Sequence, residues 1–199
     1  MKEIIENYQT DAVISFRNYK RMAERALEQI SDEEFFALID PEANSIAVIV
    51  KHIAGNLCSR WSDFLTTDGE KDSRNRDTEF ELISDTRSSL MEFWETGWQT
   101  LFDAIEPLTV DDFSRTVNIR GETHTIAEAI NRQMTHYAYH VGQIVLLAKH
   151  FRSADWKTLS VPKNRSSEFN QFVANKQVAG EAQTDRFETA LEFSETETK

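Results

Sequence analysis

The stretch TIAEAINRQMTHYAYHVGQIVLLA, Thr125–Ala148, decides the fold. Ile126, Ile130, Tyr137, Val141, Ile144 and Ala148 recur at intervals of three, four and seven residues, the period of one helix face. Thr125 stands three residues before Glu128, the spacing of a capping box, in which each side chain satisfies the other residue's backbone N–H. Three further stripes carry the same period. Ile4, Tyr8, Ala12, Ser15, Tyr19, Met22 and Ala26 predict a first helix over 4–30. Ile46, Ile49, Ile53, Leu57, Trp61 and Phe64 predict a second over 45–65, capped by Asn44 or Ser45. Ile83, Leu90, Trp94, Trp98, Leu101 and Ile105 predict a third, closed by Pro107. Each stripe needs a partner to cover it, so the simplest packing is an all-α four-helix bundle.

The intervening segments fit that reading. Ser31 with Glu34, and Thr109 with Asp112, have the spacing of short capped turns. Thr116–Ile119 and Glu122–Thr125 flank Arg120-Gly121 and predict a small β-hairpin before the last bundle helix. The two capped turns, each followed by a Ser/Thr-Ile-Ala helix start at Ser45 and Thr125, hint at a helix pair written twice. Residues 66–81 (TTDGEKDSRNRDTEFE) have no apolar face and predict a surface loop, with covering a pocket as the alternative. The bundle domain is expected over 1–163, followed by a polar C-terminal extension over 164–199. In that extension a short helix near Ser166–Asn175 is expected, and the last dozen residues are expected to fray.

Composition narrows the function. Six Gly and three Pro in 199 residues argue against a sandwich or barrel, and 40% apolar residues suffice for a core. With 22 Lys plus Arg against 34 Asp plus Glu, the net charge of −12 disfavours nucleic acid and anionic membrane surfaces as partners. The apolar runs Ile46–Val50 and Ile144–Ala148 fall far short of the roughly 20 residues of a spanning helix. The single cysteine, Cys58, and a start without a basic, apolar leader suggest a cytoplasmic location.

His136 and His140, four residues apart, project from one helix face within reach of a single ion. With the stripe centred on Tyr137, they fall at about −100° and −60° on the helical wheel. Centred on Ile53, His52 and Asn56 take the same flank positions in the second helix. Two packed helices would then aim three imidazoles into one hollow. The same spacing also fits core histidines satisfied by backbone or tyrosine hydroxyls, and five histidines make a chance pair common, so both readings stand. If a divalent ion is held, three neutral ligands leave its full charge and an open position, the arrangement of a catalytic site. Asn56 and Gln133 share the flanks and are candidates to orient a ligand or bond a substrate. Asp63 is a candidate base beside the metal, with a salt bridge to Arg60, which falls inside the apolar stripe, as the structural alternative. Cys58 points about 120° away from His52 and carries no assigned role. Gly55 and Gly142 sit mid-helix near the histidines, where close helix approach would explain them. No phosphate loop, catalytic triad or dinucleotide fingerprint is present.

NSIAVIVKHIAGNLCSRWSDFLTTDGEK, Asn44–Lys71, and THYAYHVGQIVLLAKH, Thr135–His150, resemble the DinB/YfiT-like superfamily, over most of the chain up to about Phe172. The resemblance implies a DinB-like bundle in which His52, His136 and His140 hold a divalent metal ion, Zn or Ni. It also implies a homodimer and relatives that include low-molecular-weight-thiol transferases and a thiol-dependent isomerase. A metal-dependent transferase or hydrolase on a small molecule, a low-molecular-weight thiol among the partners, is therefore expected. The competing class is a non-enzymatic, stress-related binding protein whose metal is structural or absent.

Overall fold

The computed structural model describes residues 2–181 and 187–196. The chain divides into two compact units, one ending at Phe151 and one beginning at Arg152. The first unit contains α1 (Lys2–Leu27), α2 (Asp32–Phe36), α3 (Ile46–Trp61), α4 (Arg87–Ile105), the strands β1 (Thr116–Ile119) and β2 (Glu122–Thr125), and all but the last residue of α5 (Ile126–Arg152).

One large aromatic from each long helix meets at the centre. Phe16 of α1 lies 6.1 Å from Trp61 of α3, 6.5 Å from Trp98 of α4 and 5.9 Å from Tyr137 of α5, ring centre to ring centre. All four are fully buried. Rings of this size bridge four helices that smaller side chains would leave separated. Trp61 Nε1 donates to the Tyr137 hydroxyl at 3.1 Å, and that hydroxyl donates to Asn56 Oδ1 at 2.9 Å, which satisfies the polar edges of Trp61 and Tyr137, whereas the buried Trp98 Nε1 has no hydrogen-bond partner. At the α3–α4 contact a Cβ on Gly97 would stand 2.9 Å from Leu57 Cβ, so glycine is what lets these two backbones approach.

The helix starts follow their caps. Ser31 and Glu34 form the expected capping box, the Ser45 hydroxyl accepts from Val48 N–H at 3.2 Å, and Thr125 pairs with Glu128 at both backbone positions. The third long helix opens later than its stripe suggests. Thr86 closes a capping box with Ser89, which fixes Arg87 as the first helical residue and leaves Ile83 outside, 86% exposed. The hairpin pairs Ile119 with Glu122 around Arg120-Gly121, whose φ values of 57° and 76° are those of a tight hairpin turn. It buries Val117 and Ile119.

The hairpin is tied to the segment after α3. Gly69 N–H donates to Asn118 O at 2.8 Å, while the Asp68 carboxylate accepts from Arg120 and Gly121 N–H, both at 2.8 Å. Residues 66–81 are thus a structured cover and not simply a solvated loop. The stretch ends in a 3-10 turn over Asp77–Phe80.

In the second unit, α6 (Ser166–Val178) covers the expected short helix, and α7 (Glu188–Glu195) follows. Phe193 of α7 is buried, 5.4 Å from Phe169 and 5.6 Å from Phe172. The fraying expected of the last dozen residues does not hold for this helix, because its apolar edge has rings to pack on. Residues 197–199 lie outside the described residues. Among the described residues no helix is long and apolar enough to cross a membrane.

Candidate metal centre

α3 and α5 bring His52, His136 and His140 together, with one ring nitrogen from each inside a 4.8 Å group. His52 Nε2 is 3.3 Å from His136 Nε2, and His140 Nε2 is 3.1 Å from the same atom. Ligands at about 2.0–2.1 Å around a tetrahedral ion stand about 3.3–3.4 Å apart, so these two separations lie close to those around such an ion. His52 is buried and the other two are partly buried.

The outer nitrogens explain why the inner ones point inward. His52 Nδ1 lies 2.8 Å from Glu79 Oε2, and His140 Nδ1 lies 2.7 Å from Gln143 Oε1. Both partners are acceptors, so in each neutral ring the proton sits on Nδ1 and the lone pair on Nε2. Burial alone would raise the Glu79 carboxyl, but hydrogen bonds from His52 and Arg74 outweigh it and hold it below the usual range. Arg74 donates from Nε and Nη2 to the two Glu79 oxygens at 2.7 and 3.0 Å. Burial, with neighbouring positive groups, pushes His136 down to about 3 and also lowers His140, so both are neutral at pH 7.

A neutral His136 carries at most one proton on Nε2 and can donate it to only one neighbour. The other neighbour then faces it lone pair to lone pair at little over 3 Å. A cation relieves that contact, and a donor set of three convergent imidazoles, two of them held by acceptors at their far nitrogens, fits a divalent metal. Phe80 covers His52 at 5.2 Å and Tyr139 lies against His140 at 4.9 Å, which limits ring rotation.

The other residues singled out from the sequence are spread more widely. Asn56 and Gln133, both buried, line a cavity of about 220 Å³ that His52 and His136 also line. Asn56 spends Oδ1 on Tyr137, whereas Gln133 Oε1 has no partner. Asp63 is not in that wall. It follows the end of α3 at φ 49° and lines a cleft of about 530 Å³ with Cys58 and Lys71. Nor does it hold Arg60, whose carboxylate partner is Glu70 at 3.4 Å. Cys58 is a half-buried thiol whose acidity burial weakens.

Glu79, Arg74 and Gln143 were missed from sequence. Gln143 lay three residues past His140 on the same face, a readable spacing. Glu79 sat in an aperiodic polar run, and its one trace is Gly55, where a Cβ would stand 2.4 Å from Glu79 Oε1. The glycine therefore admits a carboxylate from the cover, not a neighbouring helix. Gly142 meets nothing within 4 Å, so close approach does not explain it.

A helical bundle with a convergent trio of imidazoles is the class that fold and site define. The chain belongs to DUF1572, a protein family of unknown function, whose profile matches residues 3–165. No curated protein and no solved structure matches the chain.

Proposed function

We propose that His52, His136 and His140 bind a divalent metal ion, Zn or Ni, through Nε2, and that the protein is a metal-dependent transferase or hydrolase acting on a small molecule. The observation that carries the reading is the meeting of three Nε2 lone pairs, two of them fixed by Glu79 and Gln143. The resemblance to DinB/YfiT-like proteins supports it and brings the expectations of a low-molecular-weight thiol as co-substrate and of a homodimer.

When bound, such an ion supplies Lewis acidity that turns a water or a thiol into a nucleophile at neutral pH. Glu79 and Gln143 hold the ring tautomers, and Arg74 keeps Glu79 ionised. Phe80 and Tyr139 keep two imidazoles from turning away. The cavity beside His52 and His136 offers a small molecule room to reach the cluster, below the roughly 300–1,000 Å³ of a drug-sized pocket.

Elemental analysis of purified protein tests the metal. About one ion per chain is expected in the wild type, and little in His136→Ala with its helical circular dichroism unchanged. A folded variant that keeps its full metal content would refute the ligand set. Transfer and hydrolysis assays on the metal-loaded protein, with and without a thiol, test the reaction, and light scattering tests the dimer.

A further inference from the structure

The wall of the cavity beside the histidines has a character at odds with the chain around it. In a protein of net charge −12, five guanidinium groups line this one space: Arg60, Arg74, Arg76, Arg120 and Arg132. They come from four places, α3, the cover after it, the hairpin turn and α5, so no local sequence bias explains the cluster.

Two carboxylates answer these five charges. Glu79 takes Arg74, and Glu70 accepts through one oxygen from Arg60 at 3.4 Å, Arg74 at 3.3 Å and Arg120 at 3.4 Å. That leaves a formal excess of three positive charges. Arg76 lies 4.9 Å over the Phe80 ring, and neither it nor Arg132 has an ion pair among the described residues. Deepest in the wall, Arg60 is 4% exposed, yet its Nε and Nη1 have no hydrogen-bond partner. A Cβ on Gly69 would stand 2.9 Å from that side chain, so glycine keeps room for a guanidinium here. Buried, unpaired N–H groups on a charged side chain call for an acceptor.

We propose that this cavity is the substrate pocket of the histidine cluster and that its substrate carries an oxyanion, a carboxylate or a phosphate, bound by Arg60, Arg76 and Arg132. The proposal rests on the reading that the histidine cluster is the functional site, and it adds the chemical class of what that site takes. Guanidinium groups match either oxyanion through paired N–H donors. A concave positive wall also draws small anions into a molecule whose surface otherwise repels them.

Calorimetric titration of the full chain, as purified and after chelator treatment, with inorganic phosphate, succinate and uncharged succinamide tests it. One phosphate or succinate per chain is expected, with no heat from succinamide. Whichever of the two anions binds more tightly names the oxyanion. The exposed pair Arg76→Gln/Arg132→Gln is expected to weaken that anion at least tenfold while metal content stays at the wild-type level. Absence of binding by both anions at millimolar concentration, or unchanged affinity in the double variant, would overturn the proposal. Because metal content is measured on the same samples, a wild type without metal would sink the metal reading alone, and the anion titration would still decide this one.

Discussion

Glu79→Gln separates the roles of a single buried carboxylate. In the wild type, Oε2 accepts from His52 Nδ1 at 2.8 Å and Arg74 Nη2 at 3.0 Å, while Oε1 accepts from Arg74 Nε at 2.7 Å. A glutamine of the same shape must turn its NH2 toward one of these positions. Facing Oε2's site it would oppose two donors, and facing Oε1's site only one, so it keeps the bond to His52 and loses Arg74 Nε. One buried donor left unsatisfied costs about 1–3 kcal/mol. The His52 tautomer survives on a neutral acceptor, so metal affinity is expected to fall near the low end of the ~10–100-fold range typical of outer-shell changes. Glu79→Ala removes all three bonds and leaves the Arg74 guanidinium, 5% exposed, with Glu70 alone. Its cost is expected near the ~3–5 kcal/mol of a broken buried pair, with metal affinity at the far end of the same range. Urea unfolding of chelated protein gives the first quantity, and competition with a chromophoric chelator gives the second. Equal metal affinity in the wild type and both variants would refute the argument that Glu79 fixes the His52 lone pair.

Other outcomes follow from the same contacts. Gly55→Ala, whose Cβ would stand 2.4 Å from Glu79 Oε1, is expected to lower both the melting temperature and metal affinity. Gly142→Ala, with nothing within 4 Å, is expected to stabilise α5 by about 0.5–1 kcal/mol; thermal melts of the two variants should shift in opposite directions. Tyr137→Phe strands the Trp61 N–H and Asn56 Oδ1 inside the core and should cost about 1–3 kcal/mol in urea unfolding. The depressed His136 makes chelated protein less stable in acid. The unfolded chain binds a proton near pH 6.5 that the folded one refuses down to about 3, so stability is full above that window and falls as pH drops through it. Each pH unit crossed costs at most about 1.4 kcal/mol per such group, and a pH series of urea midpoints checks the sign.

Much of this molecule was legible because its helices are long and their stripes regular. Placing His52, His136 and His140 on stripe edges made a common hollow one of two readings, beside separately satisfied core histidines, and the structure brings the three together at such a seam. What escaped was set by contacts distant in sequence and without period. Glu79 reaches His52 across 27 residues from a polar segment whose composition reads as solvated. A salt bridge from Arg60 to Asp63 was one of two roles expected of that carboxylate, but the left-handed backbone at Asp63 follows the helix end and Asp63 lines the other cleft, while Glu70 takes the guanidinium. The arginine wall was equally hidden, since it is assembled from four separate elements.

Asp68 grips the hairpin through main-chain N–H groups at Arg120 and Gly121, not through side chains. Such a clasp does not need the guanidinium at residue 120, only an N–H and a residue that accepts the left-handed backbone there, but it is sensitive to how many residues make the bend. Natural variants and engineered libraries can therefore exchange the side chain at this corner, within what a positive φ allows, to retune the neighbouring cavity. Lengthening the bend by even one residue would slide the clasp off its partners and unseat the cover that carries Glu79.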